Sequence, residues 1–179
     1  TRDRHPAPPR PAMPVAPVVN NAAAGTLDVM VGAGDGNPVE TEYAMRCTTM
    51  GLWVQGDGSL GAAPVWRSAA GWGVVTVTGL AEFASYAFAV TARNGGGVET
   101  APGIESTGMT QDATPPFGAL SINGGAGRTN STSATLALAY GDGAGSGAAQ
   151  MRFSNDNTVW SDWEPVAEVK TWLLTPGDG

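Results

Sequence analysis

The chain has 179 residues, enough for one or two domains, and 42% of them are hydrophobic, enough to exclude a wholly disordered protein. Its net charge is −7, with ten acidic and six basic residues up to residue 112 and six acidic and three basic residues after it. Because nucleic acids and anionic membranes bind clustered Lys and Arg, this balance argues against both as partners.

The cysteine, glycine and proline contents further limit the possible fold classes. Cys47 is the one cysteine, so an intramolecular disulfide is excluded. Gly and Pro together make up 39 of the 179 residues, which favours many short strands joined by turns over a helical fold. No apolar run approaches the roughly 20 residues that a membrane-spanning helix needs, so membrane insertion is not expected.

The first 13 residues form a predicted proline-rich linker. Proline fixes φ and lacks an amide hydrogen, so this segment favours an extended conformation and the role of a semi-rigid spacer. A docking motif for a proline-reading protein is the alternative. The chain starts at Thr1 without a signal peptide, which suggests a piece of a longer protein. Prolines in and just after this segment occupy positions 6, 8, 9, 11, 14 and 17.

Short strands are predicted through residues 14–110, separated by segments rich in Gly, Asp, Asn and Pro. The clearest pair joins residues 74–80 to residues 86–94, where apolar side chains alternate with polar or small ones. Between these strands, Leu80 and Tyr86 predict a structural corner in which the buried Tyr turns its hydroxyl onto the backbone. The other predicted strands are residues 15–19, 26–31, 40–47, 52–54, 64–67 and a stretch within 98–109.

This region resembles a fibronectin type III domain. The resemblance rests on Pro14 and Pro17, on the strand containing Tyr43, on Leu80-x5-Tyr86, and on the run Ala-Val-Thr-Ala-Arg-Asn before a glycine turn. It implies an antiparallel β-sandwich over residues 14–110. Members of the family usually have a Trp on the second strand, where this chain has only Val29 and Val31, so Trp53, Trp66 or Trp72 would have to fill that space.

Residues 111–116 form a predicted proline hinge, because consecutive prolines stop either flanking strand from continuing. Alternating apolar residues return after it, and two segments, TPPFGALSINGGAGRTNSTSATLAL and MRFSNDNTVWSDWEPV, resemble bacterial immunoglobulin-like domains. In this second pattern, Leu120 alternates with Ile122, and Trp172 and Leu174 lie on the last strand. Ala134, Leu136, Leu138 and Tyr140 are predicted to share one face, and Met151 and Phe153 to point inward.

The second predicted sandwich, residues 117–179, is expected to be incomplete at its C-terminal end. Domains of this class have roughly 100 residues and seven strands, whereas 67 residues follow position 112. The expectation is that the polypeptide is longer and that the last strands are missing here. Strand addition by a neighbouring chain is the alternative.

Catalytic and metal-binding residues are sparse. His5, the one histidine, lies in the proline-rich segment, so neither predicted domain can pair a Ser or Cys nucleophile with a His, and an enzyme is not expected. The sixteen carboxylates fall mainly in turns and on outward strand positions, as in a solvated acidic surface. No cofactor is predicted; calcium is the one considered, at Asp142 or at residues 155–157, by oxygen ligands.

The aromatic residues are the candidate ligand contacts. Exposed rings on a sheet bind sugars, whereas buried rings fill cores and corners, and the sequence leaves both interpretations open. The five candidates are Trp53, Trp66, Trp72, Trp160 and Trp163.

Together these observations predict an all-β chain of two tandem immunoglobulin-like or fibronectin type III-like antiparallel β-sandwiches, the second lacking its last strands. The predicted function is a non-enzymatic structural or adhesive spacer in a large extracellular or cell-surface protein, bacterial by resemblance, with flanking domains or neighbouring subunits as partners. The alternatives are an accessory carbohydrate-binding region of a secreted hydrolase, with polysaccharide as partner, and a subunit of an extracellular fibre that exchanges strands.

Overall fold

The computed structural model describes residues 9–176, and the fold is nearly all-β, with antiparallel pairing throughout the described strands. Residues 1–8, which include His5 and most of the predicted linker, and residues 177–179, at the end of the second predicted sandwich, lie outside the described residues. The chain divides into two compact units, Thr1–Asp112 and Ala113–Gly179. They are called the first and the second unit below.

The described part of the first unit, residues 9–112, contains nine strands and one helical turn. The helical turn, α1, is Ala69–Trp72. The strands are β1 Val18–Ala23, β2 Thr26–Met30, β3 Glu42–Cys47, β4 Leu52–Val54, β5 Leu60–Gly61, β6 Arg67–Ser68, β7 Val74–Val77, β8 Ser85–Arg93 and β9 Ser106–Met109.

These strands form two sheets that share one hydrophobic core, as in a sandwich. One sheet has the order β1-β2-β7, and the other has the order β5-β4-β3-β8-β9, with β6 pairing to β3. The first sheet contributes Leu27, Val29 and Val77, and the second contributes Met45 and Phe88, all of them at most 1% exposed. Alternate side chains on each strand therefore meet between the sheets, as period-two patterning predicts.

The corner between β7 and β8 is held by Tyr86. Its hydroxyl oxygen accepts a hydrogen bond from the backbone N–H of Ala81 at 2.8 Å. Both Leu80 and Tyr86 are 7% exposed. A buried aromatic ring with a hydrogen-bonded hydroxyl combines core packing with a fixed chain direction.

The connection after β5 differs from the prediction. A strand was predicted at residues 64–67, and its bounds were wrong. The strand in this region, β6, covers Arg67–Ser68, and the helical turn α1 follows it directly. The Ser68 side chain caps that turn by accepting a bond from Gly71 N at 3.1 Å. The turn carries Trp72 into the core, where it is 4% exposed and belongs to the same cluster of buried side chains as Val29 of β2.

The described part of the proline-rich segment is attached to the first unit. The Asn37 side chain accepts a bond from Ala12 N at 2.7 Å and donates one to Ala12 O at 3.0 Å. The Asn94 amide donates to Pro9 O at 2.7 Å. A proline has no backbone N–H to donate, but its carbonyl oxygen still accepts hydrogen bonds. In this segment, the carbonyls of Pro9 and Ala12 accept hydrogen bonds from asparagine side chains. Residues 9–12 are thus part of the first unit, whereas the prediction treated them as a spacer.

Residues 113–176 of the second unit contain five strands in two sheets. One sheet has the order β10-β11-β14 and the other pairs β12 with β13. A 3-10 turn, Asn123–Gly125, joins the first two strands. The strands are β10 Phe117–Ile122, β11 Ser133–Gly141, β12 Gln150–Met151, β13 Glu164–Pro165 and β14 Val169–Leu173.

The core of the second unit is small. In the part of the chain that the structure describes, three apolar side chains of this unit are buried: Ala134, Leu136 and Phe153. Leu120 and Ile122 lie opposite Leu138 and Leu136 in the register, so they share the core-facing side, yet they are 53% and 40% exposed. Tyr140, predicted on the same face, is 42% exposed. This sheet is therefore covered at its β14 side and open along β10.

Within residues 9–176, no helix has both the length and the apolar character needed to cross a membrane.

Candidate functional site

The five candidate tryptophans occupy three kinds of environment. Trp72 is buried, Trp53 and Trp66 are partly buried, and Trp160 and Trp163 are 43% and 57% exposed. The rings proposed as ligand contacts are therefore accessible chiefly in the second unit.

Trp72 is a core residue. Its indole Nε1–H donates to Tyr43 O at 2.7 Å, and the Arg67 guanidinium lies 5.3 Å from the ring centroid. Because the polar edge and one face of the ring are occupied, Trp72 cannot contact a ligand without disrupting the core. The core-filling interpretation holds for this residue.

Trp53 and Trp66 each stack with an arginine in the first unit. Arg46 lies directly opposite Trp53 in the register of β3 and β4, and its Cζ is 5.5 Å from the ring centroid. The Cζ of Arg93 is 4.4 Å from the Trp66 ring, and its Nε–H donates to Glu42 Oε2 at 3.0 Å. Each partly buried ring therefore already has a cationic partner on one face.

Trp160 and Trp163 lie on either side of one arginine in the second unit. The Cζ of Arg152 is 4.9 Å from the Trp160 ring centroid and 4.7 Å from the Trp163 ring centroid. Arg152 follows β12, and Trp163 precedes β13, which pairs antiparallel with β12. We call these three residues the Arg152 cluster.

The loop that carries Trp160 is closed by its own hydrogen bonds. Ser161 N donates to Phe153 O at 2.8 Å, and Phe153 N donates to Ser161 Oγ at 3.0 Å. At the tip, Asp156 Oδ1 accepts bonds from the N–H groups of Thr158 and Val159 at 2.8 and 2.9 Å. The sequence Ser-Asn-Asp-Asn therefore makes a tight turn, as short polar side chains do when they bond to the backbone.

These hydrogen bonds also lower the pKa of Asp156. The N–H groups of Val159 and then Thr158 stabilise the carboxylate, and they hold its pKa well below the ordinary value. The side chain is therefore ionised at neutral pH, and its Oδ1 is committed to the turn.

A cleft of about 350 Å³ lies beside Trp160. Its walls include Trp172, whose Nε1–H donates to Asn155 Oδ1 at 2.7 Å, and the Asn155 amide in turn donates to Leu173 O at 3.0 Å. The cleft thus combines an exposed indole with polar groups at its rim, the composition that suits a sugar ring. The Asn155 side chain and Asp156 Oδ1, both at this cleft, are already paired within the protein.

Asp142, the other residue considered for calcium, is in an unexpected environment. The sequence places it in a glycine-rich turn, where a carboxylate is normally solvated, but Asp142 is 7% exposed. Its Oδ2 accepts a bond from Gly147 N at 2.8 Å, and its Oδ1 is buried without a hydrogen-bond partner. Among residues 9–176, no group of three or more His, Cys, Asp or Glu side chains is arranged to hold a metal.

The arginines beside the tryptophans were not predicted from the sequence. The arginines at positions 46, 67, 93 and 152 each lie over at least one tryptophan ring. For Arg46 and Trp53 a signal was present, because both lie on predicted strands, residues 40–47 and 52–54, that only four residues separate. For Arg152 the signal was weaker, since Trp160 lies eight residues away across a loop of unpredicted shape.

No protein-family model matches this chain, and a search of curated proteins found no significant match either.

Proposed function

We propose that the chain is a non-enzymatic structural module of an extracellular or cell-surface protein, built from a fibronectin type III-like domain and an immunoglobulin-like domain in tandem. The observation that carries the proposal is the division into two units that each have a hydrophobic core of their own. Domains with separate cores joined by a short proline segment can unfold one at a time and act as serial spacers.

The fibronectin type III-like assignment of the first unit has two supports. Three strands face a larger sheet across one core, in the order β1-β2-β7 against β5-β4-β3-β8-β9. The Tyr86 hydroxyl is bonded to the backbone at the corner before β8, as in the tyrosine corner of sandwich domains. The immunoglobulin-like assignment of the second unit rests on sequence resemblance and on its antiparallel strands.

Pulling single molecules by their termini tests the mechanical role. Two unfolding events are expected, with released lengths in proportion to residues 1–112 and 113–179, because the separate cores give separate barriers. One event that releases the whole length would contradict a serial spacer. A variant with Phe88→Ala in the core of the first unit should lower the force of the longer event only.

Location is tested on intact cells of the source organism. An antibody signal that disappears after mild protease treatment of unbroken cells is expected for a surface protein, and recovery in the culture medium is expected for a secreted one. A signal that appears only after lysis would contradict the proposed location.

A second candidate function, carbohydrate binding, is favoured by one observation: the exposed Trp160 lines a cleft with polar groups at its rim. Sugars present C–H faces to aromatic rings and hydroxyls to polar groups. Electrophoresis of the chain through gels containing cellulose-, chitin-, xylan- or α-glucan-type polysaccharides tests it.

Retarded migration that Trp160→Ala abolishes would support binding at this cleft. Trp53→Ala, in the first unit, is the matched control and should leave the retardation unchanged. Unaltered mobility in every gel would rule out this second function while leaving the structural proposal intact.

A further inference from the structure

The carboxylate of Asp142 lies beneath an exposed loop. The loop, residues 143–147, follows β11, and Gly145 N donates to Asp142 O at 2.9 Å. Gly143 and Gly147 have φ of +57° and +94°, a backbone region that glycine adopts readily. The main chain can therefore fold closely around the carboxylate, and the side chain of Thr114 lies beside Gly143.

The two carboxylate oxygens of Asp142 differ in their surroundings. Oδ2 accepts the Gly147 N–H, whereas Oδ1 is buried and has no hydrogen-bond donor. In the part of the chain that the structure describes, no Lys or Arg forms a salt bridge with Asp142; the two salt bridges there join Arg93 to Glu42 and Lys170 to Glu164.

A buried carboxylate oxygen with neither donor nor counter-charge is costly. Buried charges in proteins are paired or bind a cation, and each unpaired buried polar atom requires an explanation. A single water could donate one hydrogen bond to Oδ1, but it would leave the charge uncompensated. A cation satisfies both the lone pairs and the charge.

We propose that Asp142 and the glycine-rich loop that follows it form a site for one calcium ion. Oδ1 of Asp142 is the carboxylate ligand, and backbone carbonyl and water oxygens supply the others. A hard cation that accepts six to eight oxygens in irregular geometry suits such a set, whereas Mg²⁺ demands a stricter octahedron. With one carboxylate the site is weak, in the range of about 10⁻⁴–10⁻³ M that extracellular modules use.

The test is calcium-dependent stability of the second unit in the full chain. Amide signals of the second unit are followed during denaturation, with CaCl₂ and with NaCl of equal ionic strength. When calcium is about ten times its dissociation constant, the unfolding equilibrium constant of this unit should fall roughly tenfold, because calcium binds the folded form. The first unit should not respond.

Two variants locate the site. Asp142→Asn keeps the shape of the side chain and removes its charge, and it should abolish the calcium response. Asp156→Asn, which removes a carboxylate from another loop of the same unit, should retain the response. A missing calcium response in the wild-type chain, or one that is equal in Asp142→Asn, would overturn the proposal.

If Asp142→Asn leaves the second unit unfolded, the wild-type chain still decides the question. Mn²⁺ prefers the same oxygen ligands, and its paramagnetism broadens nearby amide signals. Broadening centred on residues 141–147 that excess calcium reverses supports the site. Broadening centred on other acidic loops, or none, overturns it.

Discussion

The two units reach a folded state by different means. The first unit packs fifteen buried apolar side chains between two sheets, whereas the described part of the second unit packs three. The second unit compensates with contacts at its surface: Arg152 between two tryptophans, and Asn155 bonded to Trp172 and to the backbone. The first unit should therefore respond most to the loss of core volume, and the second to the loss of particular polar and stacking contacts.

The largest expected effect comes from the core of the first unit. Phe88 is fully buried on β8, and Phe88→Ala should lower the free energy of unfolding of this unit by about 3–5 kcal/mol, through lost burial and the cavity left behind. Denaturant titration followed by amide signals from each unit measures it. Val74→Ala, at a 60% exposed position on β7, should change this free energy little. A loss at Phe88 below about 1 kcal/mol would contradict a packed common core.

The sequence predicted this core well because strand patterning reports which residues share a face. The alternation within residues 86–94 puts Tyr86, Phe88 and Val90 on one face, and all three are at most 7% exposed. Patterning does not report whether the opposite face is also covered: the same alternation puts Ala89 and Thr91 on that face, and they are 3% and 6% exposed.

Three features were not predicted from the sequence: the helical turn α1, the stacking of Arg152 and the burial of Asp142. The helical turn that ends at Trp72 is too short for a periodic signal, and the stacking of Arg152 depends on the shape of a loop. The burial of Asp142 was also missed, because Asp between glycines is typical of a solvated turn. The sequence thus predicted that tryptophans are the candidate ligand contacts, but it did not predict that Trp160 and Trp163 are the accessible ones.

The second largest effect is expected in the second unit. Arg152→Ala removes the cation between Trp160 and Trp163, and exposed pairs of this kind contribute about 0.5–1 kcal/mol each, so the unit should lose about 1–2 kcal/mol. Arg128→Ala, at an exposed position of the same unit, removes the same charge and should have little effect. Equal losses in the two variants would mean that charge, and not stacking, stabilises this unit.

A smaller effect is expected at the corner of the first unit. Tyr86→Phe keeps the buried ring and removes the hydroxyl that accepts the bond from Ala81 N. One such bond contributes about 1 kcal/mol net, and the denaturation midpoint of the first unit alone should fall accordingly.

Tyr140→Phe is the control for that change. Tyr140 is 42% exposed in the second unit, so loss of its hydroxyl should leave both midpoints unchanged. If Tyr86→Phe also leaves them unchanged, the corner bond does not stabilise the first unit.

The smallest expected effect is on how the stability of the second unit depends on pH. In the folded second unit the pKa of Asp156 lies below its ordinary value of 3.8, chiefly because the N–H groups of Val159 and Thr158 bond to the carboxylate. A lowered folded-state pKa contributes stability that is present above the unfolded pKa, near 4, and lost as pH falls through the folded pKa. Asp156→Asn cannot titrate, so the second unit of this variant should show a shallower loss of stability on acidification below pH 4.

The first unit provides the internal control for this last comparison. It has its own acid-sensitive carboxyl, Asp28, whose pKa is lowered first by the Thr76 hydroxyl and then by the Asn21 amide. Its acid response should therefore be the same in the Asp156→Asn chain and in the wild type. Denaturation midpoints read from amide signals of each unit between pH 7 and 2 make the measurement. An unaltered acid response in the second unit would mean that the loop at Asp156 forms equally well around a neutral side chain, and that its backbone bonds, not its charge, hold the turn together.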